Sequence, residues 1–242
     1  MKLRWYHMAI LALAALLLIA AMALIGNSRT DRDMLYQVSA LDLLSNGSYD
    51  GIMTVGDLKQ HGDFGLGAFD RLNGEMVELN GTIYRVTSDG VVSVANDSAT
   101  LPFAEVTYFD ADTTIDIPGS NNFSTLEARL DEKLPSKIEF YAIRIHETFP
   151  YLKIRAPPAQ KKPYPPLADA LKNQSVFELY NVTGTIVGFY SPAYAKGIGS
   201  PGYHFHFISD DRLHGGHVLD FEAGATDVQL DDTPRFTMAL AA

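Results

Sequence analysis

The feature that most constrains this chain is Tyr203-His204-Phe205-His206-Phe207-Ile208, followed after a short polar loop by His214-Gly215-Gly216-His217-Val218. Side chains alternate between the two faces of a β-strand. Tyr203, Phe205 and Phe207 therefore cover a core, while His204 and His206 project together from the other face. Ser209-Asp210-Asp211-Arg212 reads as the turn of a hairpin. A turn centred there sets His217 opposite His204 and diagonal to His206, within cross-strand reach of both. His214 has the opposite parity and points away. Three imidazoles on one face suit zinc, and three neutral nitrogen ligands leave a fourth tetrahedral position open for water or substrate. The plainer alternative is a histidine-rich edge strand without a metal. Gly215-Gly216 is the point at which a bulge would change the parity.

The rest of the composition narrows the chemistry. The chain has no cysteine, which excludes disulfides and thiolate ligands, so a metal must be held by histidines and carboxylates. A net charge of −10, with no basic patch interleaved with aromatics, argues against a nucleic-acid partner. With 242 residues, 47% of them hydrophobic, the chain is long enough for one large domain or two small ones.

The N-terminus reads as a targeting segment. Lys2 and Arg4 precede an uncharged apolar run from Met8 to Ile25, and Ala21-Met22-Ala23 offers a small-x-small cleavage site. Residues 1–26 are thus expected to be a signal peptide or a membrane anchor, with the rest exported or membrane-anchored and facing outside the cytoplasm. Asp33 to Leu44 reads as a helix, and Thr54-Val55-Gly56-Asp57 as a capping box opening a short helix that Gly62 closes. The turn signals Asn73-Gly74, Asn80-Gly81 and Asp89-Gly90 divide a meander of strands at about 64–69, 75–79, 82–86 and 91–95. Glu75 shares a face with Val77 and Leu79 there. Buried, its carboxyl would be pushed up; as the first residue of a strand it would simply be solvated.

A strand at 103–109, a helix opened by Ser124-Thr125-Leu126-Glu127, and strands at 138–145 and 151–156 follow. On the last of these Tyr151, Lys153 and Arg155 face one way, either holding an anionic substrate or lying on a solvated face. Residues 157–166 hold five of the twelve prolines and read as a stiff connector between subdomains. Beyond it come a short helix at 167–172, strands near 176–182 and 185–190, and the histidine hairpin.

Several ordered stretches resemble one family. They are His-Gly-Asp-Phe-Gly-Leu-Gly-Ala-Phe-Asp (61–70) with Leu-Asn-Gly-Glu-Met (72–76), Tyr-Arg-Val-Thr-Ser-Asp-Gly (84–90) and Lys-Ile-Arg-Ala-Pro-Pro (153–158). Tyr-Asn-Val-Thr-Gly-Thr-Ile-Val-Gly-Phe-Tyr-Ser-Pro (180–192), Gly-Tyr-His-Phe-His-Phe-Ile-Ser (202–209) and His-Gly-Gly-His-Val-Leu-Asp (214–220) continue the series. Together they look like the α-acetolactate decarboxylases, from about Leu35 to Phe221. The resemblance implies a zinc-dependent lyase that converts 2-acetolactate, a 2-hydroxy-3-keto acid, to acetoin and carbon dioxide through an enediolate stabilised by the metal. It implies His204, His206 and His217 as metal ligands and Glu75 and Arg155 as catalytic residues. It further implies a mixed α+β fold of two subdomains on mixed or antiparallel sheets, and a homodimer. With the proline boundary, the subdomains are expected at 27–156 and 167–242, the second binding zinc. In one respect the sequence departs from the family: a longer tail is expected there with a further metal-site carboxylate, whereas no acid follows Asp232 here. Another carboxylate then takes its place, or the site is more open. Two other readings remain, a different zinc enzyme such as a hydrolase on the same scaffold and a non-catalytic exported zinc-binding module.

Overall fold

The computed structural model describes residues 32–240. The expected leader at 1–26 lies outside them. Among the described residues, no helix is long and apolar enough to cross a membrane.

The chain runs β1 (Met34–Val38), α1 (Leu41–Ser45), β2 (Met53–Thr54), α2 (Val55–Leu58), β3 (Phe64–Ala68), β4 (Glu75–Leu79), β5 (Thr82–Val86) and β6 (Val92–Val94). It continues through β7 (Thr100–Leu101), β8 (Phe103–Thr107), β9 (Thr113–Ile117), β10 (Asn121–Asn122) and α3 (Phe123–Lys133) to the long β11 (Phe140–Ala156). After α4 (Leu167–Ala170) come β12 (Ser175–Ser191), β13 (Gly202–Ser209), β14 (Gly215–Ala223), β15 (Thr226–Thr233) and β16 (Arg235–Ala239). This is a mostly sheet structure with a few short helices, in keeping with a mixed α+β class.

Two seven-stranded sheets carry the fold. The first has the order β16-β1-β8-β3-β4-β5-β6, and the second β10-β14-β13-β12-β11-β15-β9. In the second, β14 pairs with both β13 and β11, so β11, β12, β13 and β14 close into a ring. One face of the first sheet packs on the second through Leu35, Phe64, Leu66 and Val77 against Ala142, Val187, Phe189 and Ile208. Its other face is covered by α2 and the β2–β7 flap, around Val55, Leu58, Met76, Ile83 and Leu101. The far face of the second sheet buries Phe205, Phe207 and Phe221 with Leu126 and Leu130 of α3.

Because both faces of the first sheet are covered, its inner strands β3, β4 and β8 are buried along their whole length. That accounts for one correction. The expected helix at 33–44 is instead β1 followed by α1, since every residue from Leu35 to Val38 is buried. A short apolar run buried on all sides has no period that separates strand from helix. Ser39, at φ 63°, breaks the two elements apart. The α2 helix forms where expected, with the Thr54 hydroxyl accepting the Asp57 N–H, but it ends at Lys59, before Gly62. The α3 cap is Asn122, whose side chain accepts the Thr125 N–H, two residues before the expected Ser124.

The sheets divide elsewhere than at the proline-rich stretch. Residues 157–166 link β11 to β12, which pair with each other over almost their whole length in one sheet. The chain crosses between sheets after Thr107, and β16 returns to pair in parallel with β1. Residues 157–166 are instead docked on the first sheet and its loops: Tyr49 donates its hydroxyl to the Pro165 carbonyl at 2.8 Å, and the Gln160 N–H donates to the Arg71 carbonyl at 2.7 Å. Their prolines leave few N–H groups to satisfy, so the segment can lie against a wall without joining a sheet.

Candidate metal centre and active-site pocket

Strand alternation places the three histidines as their sequence suggests. Phe205 and Phe207 enter the core of the second sheet, and His204 and His206 face the first sheet. The register differs by two residues from expectation. His206, not His204, stands opposite His217, and Ile208 pairs with Gly215. The Asp211 carboxylate accepts from Ser209 Oγ at 2.6 Å and from the Leu213 N–H at 2.9 Å. The turn is therefore closed by the Ser209 N–H and the His214 carbonyl, one residue further along than the sequence suggests. A shift of two preserves parity, so His217 still meets the other two.

The glycines do not upset that parity. Gly216 has φ +140°, and a Cβ there would stand 2.5 Å from the Arg155 carbonyl oxygen. It lets β14 close against β11. The register break falls later, where Leu219 is the extra residue between Val218, paired with Ile154, and Asp220, paired with Lys153.

The ring centroids of the three histidines lie 5.1–5.2 Å apart. Each offers a ring nitrogen, and these atoms lie within 4.8 Å of one another. His206 Nδ1 is 2.8 Å from the Met76 carbonyl oxygen. As Nδ1–H donates there, Nε2 is left with the lone pair a metal needs. Burial, and then the neighbouring charged groups, pull the His206 and His217 pKa values well below the usual imidazole range. Both are neutral near pH 7, the state in which imidazole binds a metal. The donor set suits a divalent first-row ion such as zinc, and no thiolate competes for the site.

These rings sit in a pocket of about 200 Å³, the space of roughly seven water molecules. Glu75 and Arg155 line the same pocket. Glu75 is 6% exposed, which sets aside a solvated strand end, and its Oε2 is 3.7 Å from His206 Nε2. Burial drives its carboxyl up to about 7, against the opposing pull of Arg155 and His204. Arg155 donates from Nη1 to Gln174 Oε1 at 2.9 Å. Its strand neighbour Lys153 pairs instead with Glu178 at 3.6 Å and lies outside the pocket. Leu41, Leu44, Leu72, Phe103, Leu167 and Leu171 supply the apolar walls. Leu167 and Leu171 follow the proline-rich stretch, and Pro157 itself lines the pocket, so the expected connector is a wall of the site.

Two residues went unrecognised in the sequence. Gln174 orients Arg155, and Glu105, 1% exposed, lies 3.5 Å from His204 Nδ1. A charged residue alternating into an apolar strand was the available signal for Glu105, within Phe103-Ala104-Glu105-Val106. Nothing in the local sequence marks Gln174.

Fold and site together define a protein with a three-histidine group able to hold a metal ion, set in a small, partly apolar pocket beside a buried acid and a cation. Comparison with known proteins makes this specific. The family pattern described as alpha-acetolactate decarboxylase matches residues 35–242. An alpha-acetolactate decarboxylase of Methanosarcina mazei is 51% identical over 215 residues, covering 89% of this chain and 75% of that one. One from Bacillus licheniformis is 40% identical over 208 residues, covering 86% and 82%. The crystal structure of acetolactate decarboxylase from Bacillus subtilis subspecies spizizenii superposes with a TM-score of 0.83 at 39% identity, covering 86% of this chain and 90% of that one. The chain belongs to the alpha-acetolactate decarboxylase family and is an enzyme, a decarboxylase.

Proposed function

We propose that this chain converts 2-acetolactate to acetoin and carbon dioxide with zinc held by His204, His206 and His217. The observation that carries the reading is that Glu75, Arg155 and three convergent imidazoles line one small pocket. Zinc bound there supplies positive charge beside the oxygens on which negative charge builds as the carboxylate carbon leaves.

The chain's own residues account for the remaining steps. Arg155, held by Gln174, takes the substrate carboxylate and orients its C–C bond for cleavage. That bond breaks, carbon dioxide departs, and the electron pair passes into the neighbouring carbonyl to leave an enediolate. Glu75 holds a proton near neutrality because its carboxyl is pushed up to about 7. It gives that proton to the carbon that lost carbon dioxide, which yields acetoin, and recovers one from water. Delivery from a fixed carboxyl on one wall sets the handedness of the product. The apolar walls exclude water from the other side and accept the two methyl groups.

Glu75→Gln is expected to retain zinc and to cut turnover by roughly 100-fold or more, the scale of a lost acid–base group. Arg155→Lys is expected to raise KM and lower kcat, since an ammonium cannot reproduce a two-point hold on a carboxylate. Steady-state kinetics with metal analysis checks both. Unchanged turnover in Glu75→Gln removes Glu75 from the mechanism, and indifference to Arg155 favours a substrate without a carboxylate, as for a hydrolase. For the apolar run at 8–25 we propose export or membrane attachment, checked by fractionating cells and sequencing the mature N-terminus.

A further inference from the structure

Glu105 is a carboxyl in a place that does not suit one. It stands in the middle of β8, in register with Gln37 of β1 and Leu66 of β3, and faces the second sheet. It is 1% exposed, and neither oxygen meets a hydrogen-bond donor among the described residues. Gln37 is beside it but cannot help, because its amide nitrogen already donates to the carbonyls of Ser39 at 2.6 Å and Ile198 at 2.7 Å. The loop before β13 seals the carboxyl in: a Cβ on Gly199 would come within 3.2 Å of Glu105 Oε1. A buried carboxyl without a partner costs several kcal/mol, so a position like this needs a compensating interaction.

The group that faces it is His204. Its Nδ1 lies 3.5 Å from Glu105 Oε2 and likewise has no hydrogen-bond partner among the described residues. The two unsatisfied groups thus point at each other, just outside hydrogen-bond length. A metal ion on the far nitrogen of an imidazole withdraws electron density from the ring, so Nδ1–H becomes a stronger donor and a carboxylate its best acceptor. His206 already shows the same arrangement in another form, its Nδ1 on the Met76 carbonyl.

We propose that Glu105 is a positioning residue of the metal centre: its carboxylate accepts the His204 Nδ1–H and so presents the Nε2 lone pair to the ion. The two sheets then each contribute to holding the ligands, with Met76 and Glu105 of the first orienting His206 and His204 of the second. The inference rests on the three-histidine reading of the metal site.

The test compares the full chain with Glu105→Gln, which keeps one acceptor oxygen, and Glu105→Met, which fills the space without one. Zinc affinity is read by competition with a chromophoric chelator, and ligand geometry from the visible absorption of the cobalt-substituted protein. Glu105→Met is expected to weaken zinc binding about 10- to 100-fold, the usual scale for removing such an acceptor, and to change the cobalt spectrum. Glu105→Gln is expected to fall between it and the parent. The metal-free melting temperature of Glu105→Met should not drop, since the variant removes an unpartnered buried carboxyl. Zinc affinities within twofold of the parent, with unaltered cobalt spectra, would overturn the proposal. If Glu105→Met does not fold, the nearly isosteric Glu105→Gln decides by the same two readings. A parent chain that binds neither zinc nor cobalt overturns the three-histidine reading as well, and the two failures are thereby told apart.

Discussion

At the scale of single residues, the buried carboxyls of the first sheet divide according to which face of a strand they occupy. Glu75 and Glu105 face the second sheet and the histidines, while Glu78 faces α2. Glu78 has no exposed surface, and neither of its oxygens has a hydrogen-bond partner among the described residues. Burial, reinforced by Asp63 and opposed by Lys59, drives its carboxyl up to about 8. The folded state therefore keeps a proton that the unfolded chain gives up above about pH 4. Stability is greatest below that point, falls as pH rises to about 8 and then levels off, with roughly 5 kcal/mol at stake across the window. Glu78→Gln is expected to flatten this slope and to raise stability above pH 8. Urea midpoints at pH 5 and 8.5, with excess chelator to remove zinc linkage, check it; parallel slopes in parent and variant would count against the assignment.

At the scale of elements, the histidine hairpin was legible because alternation is a strong rule and the site face carries polar residues. Its register was not, because a side chain in the turn, Asp211, moved the closing pair. The meander strands were legible from their Asn-Gly and Asp-Gly turns. By contrast β11 and β12 read as four strands and are two, since residues 146–150 and 183–184, which separate the expected strands, lie within continuous strands. Gly216 is the element-scale constraint on the site. In Gly216→Ala the new Cβ meets the Arg155 carbonyl and the residue must hold a positive φ, so β14 has to move away from β11. We expect a loss of about 2 kcal/mol or more, seen as a melting temperature lower by about 4–8 °C, together with weaker zinc binding as His217 shifts. A variant that melts with the parent and binds zinc equally well would mean that β14 tolerates the displacement.

At the scale of the whole molecule, what the sequence concealed was long-range pairing. The return of β16 to β1 and the β11–β14 contact that closes the ring join residues far apart in the chain, and such pairings leave no local pattern. For the same reason a proline-rich stretch looked like a boundary when it is part of the pocket wall. The residues of the proposed site were legible despite this, because Glu75, Arg155 and the histidines, which line one pocket, stand in ordered motifs resembling a known family. Their meeting is a product of both sheets: β4 supplies Glu75, β11 Arg155, β13 and β14 the histidines. The most direct test of this account is to follow acetoin and carbon dioxide from racemic 2-acetolactate with the purified chain, with and without a chelator, while counting bound zinc. The account predicts about one zinc per chain and stoichiometric acetoin and carbon dioxide, abolished by the chelator and restored by zinc. Acetoin formation that is indifferent to metal removal, or a chain with zinc fully bound that leaves acetolactate untouched, would contradict it.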